Sequence, residues 1–212
     1  MGQVVELPSR RRKTPNAVNG KVAPPRRRPN REVRSREHLT PDEVERLIAS
    51  VGASGRHQGR DQTLATLMYR HGLRVSEAVA LRWDQVDLKA GTLHVNRLKS
   101  GVPSTHPLRG PELRRLRQLR RDYPDGPYLF VSERGGPMTA ANVRKMLTRA
   151  GKEAGLEFPV HPHMLRHACG FKLANDGHDT RALQHYLGHK NISHTVRYTE
   201  MAPDRFKGFW KD

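Results

Sequence analysis

The 212 residues contain a single cysteine, Cys169. That excludes an internal disulfide framework and a zinc site built on paired cysteines. No apolar run is long enough to span a bilayer, and no stretch has the bare hydrophobic face of a helix lying on a membrane. The first residues are polar and lack the apolar segment of a secretory signal. Acidic residues are scarce too: 21 Asp+Glu stand against 39 Lys+Arg, a formal net charge of +18. A solvated surface needs no such excess, which repels itself and favours a polyanion, most simply nucleic acid. These features lead us to expect a cytoplasmic, nucleoid-associated protein acting on DNA or RNA.

The charge is uneven. Residues 1–38 hold eleven Lys+Arg and three Glu, so +8 of the +18 lies there. Arg10, Arg11, Arg12 and Lys13 form one cluster, and Arg26, Arg27 and Arg28 form another between prolines. Few apolar residues accompany them, so a disordered basic arm that tracks DNA is expected, with a solvating or vector-derived tail as the plain alternative.

Order is expected from about residue 39. Thr40-Pro-Asp-Glu43 carries the cap, first-position proline and capping-box glutamate of a helix start. Val44, Leu47, Ile48 and Val51 follow at helical spacing, and Gly52 is read as the stop. Further helices are predicted at about 60–71, 75–81, 111–121, 140–154, 163–175, 180–187 and 193–199. Gly91-Thr-Leu-His-Val-Asn alternates, and a turn at Ser100-Gly101 precedes Ser104–Leu108, so two or three antiparallel strands are predicted. The fold class is mostly α with a small antiparallel sheet (α+β), in one folded unit over 39–212 with a tail from about 200.

Several residues carry chemistry. His163 and Arg166, three apart on a helix, share a face and can offer an imidazole and a guanidinium to one phosphate, with Leu165 and Phe171 turned to the core. Arg74, in Gly72-Leu-Arg-Val-Ser-Glu77, is set by a tight turn, and Glu77 is placed to orient its guanidinium. Lys99 sits at the tip of the predicted hairpin, where an ammonium can act as a general acid. His189 lies in Leu-Gly-His, and Tyr198 in Arg-Tyr-Thr. Singly, each also reads as an ordinary residue: a solvated helix turn, a surface ion pair, a turn lysine, a packed tyrosine. As a set they suit a phosphodiester. Two guanidiniums neutralise the anion with forked hydrogen bonds, and a phenol can attack phosphorus and hold the cut end covalently. The His163/His167 and His185/His189 pairs have zinc-like spacing but lack the carboxylate of a His-Glu-x-x-His site.

The run His161-Pro-His-Met-Leu-Arg-His-Ala-Cys-Gly-Phe171, then Leu187-Gly-His-Lys-Asn-Ile192, then His194-Thr-Val-Arg-Tyr-Thr199 resembles the tyrosine recombinases of the phage integrase (lambda-integrase) type. Separated motifs agree in order and spacing over about residues 38–210. Leu173-Ala-Asn-Asp-Gly177, Asp179-Thr-Arg181 and Arg205-Phe-Lys-Gly-Phe-Trp210 resemble most the short fimbrial phase-switch recombinases, the FimB/FimE kind.

The resemblance implies a tyrosine-recombinase catalytic domain. It implies site-specific cleavage and rejoining of double-stranded DNA through a 3′-phosphotyrosyl intermediate, for inversion or integration, without metal, ATP or other cofactor. In that scheme Arg74 and Arg166 bind the scissile phosphate, Glu77 supports Arg74, and Lys99 protonates the leaving oxygen. His163 manages the tyrosine proton, His189 is the second histidine, and Tyr198 is the nucleophile. His161, His167, His185 and His194 are read as structural or as DNA contacts. A homotetramer on DNA is implied, with Phe206, Phe209 and Trp210 docking on a neighbouring subunit or packing on the chain itself. Only the basic arm precedes residue 40, so binding should lean on charge, with accessory DNA-bending proteins aiding site recognition. A type IB topoisomerase shares this chemistry but relaxes supercoils, and a non-catalytic DNA-binding regulator would carry a broken catalytic set.

Overall fold

The chain divides into two units, residues 1–35 and residues from 36 onward. The computed structural model describes residues 36–98 and 101–200, with the backbone of 17–18 and 21–22. In the first unit β1 (Ala17–Val18) pairs antiparallel with β2 (Lys21–Val22). The arm residues Arg10, Arg11, Arg12, Lys13, Arg26, Arg27 and Arg28, with the expectation of disorder there, lie outside the described residues. So do Lys99 and the tail residues Phe206, Phe209 and Trp210.

The second unit begins a few residues earlier than the capping signal suggests. Arg36 forks onto Glu43 at 2.7 and 2.9 Å, and the His38 ring packs 4.2 Å from Phe171. The first helix, α1 (Pro41–Ala53), starts on the predicted box: Glu43 N–H donates to Thr40 Oγ1 and Thr40 N–H to Glu43 Oε2. It runs through Gly52 to Ala53, because a glycine inside a formed helix is only a mild cost. Val44, Leu47 and Val51 are buried against α2 (Gln58–Arg70), which contributes Leu64, Leu67 and Met68. Gly72, with φ of +57°, turns the chain into α3 (Val75–Val79).

A 3₁₀ turn at Trp83–Gln85 leads into a meander of β3 (Val86–Asp87), β4 (Thr92–Val95) and β5 (Ser104–Pro107). The order is β3-β4-β5, with Leu93 opposite both Val86 and His106. Pro107 is tolerated because β5 is an edge strand. Leu93 and Val95 point inward, and the same alternation buries Arg97 two residues on. His106 also faces inward, 3.2 Å from His71 and 2.7 Å from Ser104 Oγ, while His71 Nε2 meets Glu112 Oε1 at 2.9 Å. This buried polar chain fixes the sheet to α2 and to α4 (Gly110–Asp122).

The remaining helices are α5 (Ala140–Glu153), α6 (Pro162–Asn175), α7 (Thr180–Leu187) and α8 (Ser193–Glu200). Of these α6 is central. It packs on α1, α2, α5, α7 and α8, and its residues from Met164 to Gly170 are all buried. Polar side chains on such a helix must be answered inside the protein. That requirement builds the site described below. Leu165 turns to the core as predicted, while Phe171 is only partly buried, in a second apolar cluster with Tyr198. No described helix is long and apolar enough to cross a membrane.

The two halves of the α1 cap are unequal. The Thr40 Oγ1 bond is long, at 3.4 Å, whereas Glu43 holds Thr40 N–H at 2.8 Å and Arg36 besides. We therefore expect Glu43→Ala to cost about 1–2 kcal/mol and Thr40→Ala under about 1 kcal/mol. Urea unfolding of both variants checks the order, and a reversed order contradicts this account of the cap.

Candidate active site

Arg74 is the N-cap of α3, and Glu77 is the third residue of that helix. Glu77 Oε2 accepts from Arg74 N–H at 2.9 Å, while Oε1 accepts from the Arg74 guanidinium at 2.6 Å. The turn thus aims the arginine, as the sequence predicted. Glu77 is itself buried and takes two further donors, Arg97 Nη1 at 3.0 Å and Leu98 N–H at 3.2 Å. Burial opposes its charge, but the Arg74 hydrogen bonds and the Arg97 charge outweigh that and hold its pKa below the ordinary value.

Arg166 lies on α6 with 1% of its surface exposed. It donates through Nη1 to the Gly72 carbonyl and through Nη2 to the Leu187 carbonyl at 2.7 Å. Burial, then the charges of Arg74 and Arg97, pushes its pKa down to about 10. His163, by contrast, is exposed at the start of the same helix. The expected pairing of the two on one face is therefore split, with the guanidinium inside and the imidazole outside.

His189 follows Gly188, whose φ of +65° is the left-handed cap that ends α7. Its Nδ1 shares a hydrogen bond of 2.8 Å with the buried Thr195 hydroxyl, which fixes the ring. Burial, with the Arg166 and Arg74 charges, lowers its pKa to about 3, so the ring is neutral near pH 7. Arg74, Gly188, His189, Lys190 and Arg181 line a cleft of about 710 Å³, cationic in character and open to an anion.

Tyr198 on α8 is 1% exposed. Its ring lies edge-on to Phe171 at 5.0 Å and stacks 6.3 Å from His189. It fits against Gly170, where an added Cβ would stand 2.7 Å from the ring. Its hydroxyl is 2.8 Å from Nδ1 of His167, a residue the sequence reading set aside as structural or DNA-binding. So the imidazole on the phenol here is His167 and not His163, whose ring packs edge-on against His167 at 4.4 Å. Burial raises the phenol's pKa to about 12 despite the nearby Arg166 charge. Burial, then His163 and Arg197, lowers that of His167 to about 3.

Of the six expected catalytic residues, the structure brings Arg74, Arg166, His189 and Tyr198 near one another, leaves His163 exposed against His167, and does not describe Lys99. Of the histidines set aside, His194 stands 6.0 Å from His189 ring to ring, and His185 is exposed. Arg97, His167, Thr195 and Gly170 were missed. Only Arg97 carried a usable signal, a charge at an inward position of an alternating strand.

His106, His167 and His189 all have pKa values near 3 in the fold against an ordinary 6.5. The unfolded chain accepts protons that the folded chain refuses. Their stabilisation is therefore complete above about pH 6.5 and lost as pH falls toward 3, by up to about 1.4 kcal/mol per pH unit for each histidine. Urea midpoints at pH 7, 6, 5 and 4 test this, and a flat profile over that range contradicts the burial of these rings.

Comparison with known proteins places this geometry. The Phage integrase family model matches residues 37–205. The chain is 42% identical over 182 residues to the type 1 fimbriae regulatory protein FimB of Escherichia coli K12, covering 84% of this chain and 90% of FimB. It is 35% identical over 185 residues to the tyrosine recombinase XerC of Halalkalibacterium halodurans, covering 82% of this chain and 60% of XerC. The crystal structure of XerA recombinase superimposes with a TM-score of 0.70 at 26% identity, over 81% of this chain and 63% of the XerA chain. The chain thus spans nearly all of FimB but under two thirds of XerC and XerA. With the family match running from residue 37 past Tyr198, the chain belongs to the phage integrase family of tyrosine recombinases.

Proposed function

We propose that this chain is a site-specific DNA recombinase that cuts and rejoins duplex DNA through a 3′-phosphotyrosyl link at Tyr198. The observation that carries the reading is a cationic cleft lined by Arg74 and His189, with the buried Arg166 charge close enough to act on His189 and the Tyr198 ring stacked against that histidine. Arg74 and Arg166 clamp the scissile phosphate and stabilise charge as phosphorus becomes pentacoordinate, with His189 donating a further hydrogen bond. The Tyr198 oxygen forms a bond to phosphorus while the bond to the 5′ oxygen breaks. The phenol proton passes to a histidine, and the residue already on that hydroxyl is His167, with His163 packed against it. Lys99, by its place in the sequence, gives a proton to the departing 5′ oxygen. Attack by the 5′-hydroxyl of a partner duplex reverses these steps and exchanges strands, with the bond energy held in the covalent link.

The buried hydroxyl must turn out of its place between Gly170 and His167 to reach the cleft. We assign that movement to assembly on DNA as a homotetramer, with the tail around Phe206, Phe209 and Trp210 exchanging between subunits. Extensive identity to a fimbrial regulatory protein favours inversion of a regulatory segment over integration. The basic arm, through Arg10–Lys13 and Arg26–Arg28, supplies charge along the duplex, and accessory DNA-bending proteins bring the sites together.

Sites can be recovered by covalent capture from a random library of nicked duplexes, in which loss of the short cut strand traps the adduct. We expect adducts with the full chain and none with Tyr198→Phe, which should still bind the captured duplex. Arg166→Ala should slow cleavage by on the order of 3 kcal/mol, about a hundredfold. Adducts that persist in Tyr198→Phe, or no capture by the parent chain, overturn the reading.

A second expectation concerns the arm. Deleting residues 1–35 should weaken binding and flatten its dependence on log salt by about 0.9 for each phosphate that the arm neutralises. Affinities measured at several salt concentrations check this, and an unchanged slope removes the arm from the interface.

A further inference from the structure

Arg97 is a charge where the sheet alone would prefer an apolar residue. It continues the inward register of Leu93 and Val95, and none of its side chain is exposed. A buried guanidinium is costly unless its N–H groups are answered, and an apolar side chain of similar volume usually stabilises as well or better. Something other than strand stability keeps it here. Its partners show what. Nη1 donates to Glu77 Oε2 at 3.0 Å and, more weakly, to the Gly72 carbonyl at 3.5 Å. Nη2 donates to the His71 carbonyl at 3.2 Å and to the Tyr186 carbonyl.

Three of those four acceptors lead to a group that holds a proposed phosphate ligand, and the fourth, the His71 carbonyl, adjoins Gly72. Glu77 aims Arg74. The Gly72 carbonyl is also the acceptor for Arg166. Tyr186 precedes Leu187, whose carbonyl is the other acceptor for Arg166, and His189 follows two residues later. The fit around Arg97 is close on both sides. A Cβ added at Gly188 would lie 2.5 Å from Arg97 Cγ, and one at Gly101 would lie 2.8 Å from Arg97 Cβ.

We propose that Arg97 is the positioning residue of the phosphate clamp, setting Arg74 through Glu77 and setting Arg166 through the Gly72 and Tyr186–Leu187 backbone. The inference rests on the reading of Arg74 and Arg166 as phosphate ligands. Arg97 itself touches no substrate. It locks three segments, residues 71–77, 97–98 and 186–189, into one register, so that two guanidiniums meet one phosphate at a fixed separation. Lysine cannot replace it, because a single ammonium does not reproduce a fork that reaches a carboxylate and several carbonyls.

The test uses the full chain and the captured nicked duplex in two forms. One carries the natural linkage, and the other a methylphosphonate at the scissile position, which is neutral and does not need two guanidiniums. We expect Arg97→Lys to slow single-turnover cleavage of the natural linkage by about 100-fold, the usual cost of a small misplacement. On the methylphosphonate it should fall only a few-fold below the parent chain. Because each preparation is compared with itself on two substrates, a partly unfolded variant cannot produce that difference. Gly101→Ala, which crowds the Arg97 stem and leaves its charge in place, should show the same pattern in weaker form. It provides the answer if Arg97→Lys does not fold. Arg74→Ala is the control. If it is rescued by the neutral linkage while both other variants lose equally on the two substrates, Arg97 is merely structural and the proposal falls. If Arg74→Ala is not rescued, the clamp reading beneath it falls instead. A variant restored by a bridging 5′-sulfur leaving group, but not by the methylphosphonate, would place Arg97 on the leaving-group side and also overturn the proposal.

Discussion

One buried carboxylate organises this site. Both oxygens of Glu77 are occupied, with Oε1 taking the Arg74 guanidinium and Leu98 N–H, and Oε2 taking Arg74 N–H and Arg97. Three guanidiniums, those of Arg74, Arg97 and Arg166, stand near this one anion, and burial, then the charges of the other two, lowers the pKa of Arg166. A balanced cluster would have little attraction for a ligand. This one is short of negative charge, and the missing charge is what a phosphodiester would bring. Removing Glu77 would therefore do more than free Arg74. It would leave the buried Arg97 and Arg166 with backbone carbonyls but without the carboxylate charge that answers them, the costly outcome for any broken buried pair.

The proposed nucleophile has its hydroxyl on His167, with the Arg166 charge nearby. Tyr198 sits with its ring against Gly170 and Phe171 and its hydroxyl on His167, and burial makes it a weaker acid than a free phenol. Turning it out would expose an aromatic ring, at roughly 2–3 kcal/mol, and break a hydrogen bond worth about 1 kcal/mol. In the proposed scheme that sum is small enough for contacts made on DNA to supply.

Most of the fold was legible because its signals are local. Thr40 with Glu43, Gly72 and Gly188 mark helix ends by their own backbone chemistry, and each stands where its type predicts. Gly52 misled because glycine tolerates a helix interior when tertiary packing fixes the turn. The site was legible by residue type but not by pairing. His163 and His167 lie four apart on one helix, and nothing local says which meets a tyrosine more than thirty positions on. That choice is made by how α8 packs on α6. Gly170, one turn beyond His167, makes sense only once the Tyr198 ring is known to lie over it. Arg97 is within reach of the same signal, since the alternation through Leu93 and Val95 extends to it, one residue past the predicted strand's end at Asn96.

The division of labour between arginine and histidine follows from the same electrostatics. A guanidinium keeps its charge when buried, even with a pKa pulled to about 10, so Arg166 remains a cation at any physiological pH. An imidazole beside it cannot. Burial and the neighbouring arginines hold His189 near 3, and burial, His163 and Arg197 do the same for His167. The arginines therefore carry fixed charge, and the buried histidines carry hydrogen bonds. A neutral ring can accept a proton from a phenol and return it, which an imidazolium could not do. In the proposed reaction, His167 rather than a cation on the tyrosine hydroxyl would keep that exchange available, while the positive field favouring a phenolate would come from Arg166 nearby.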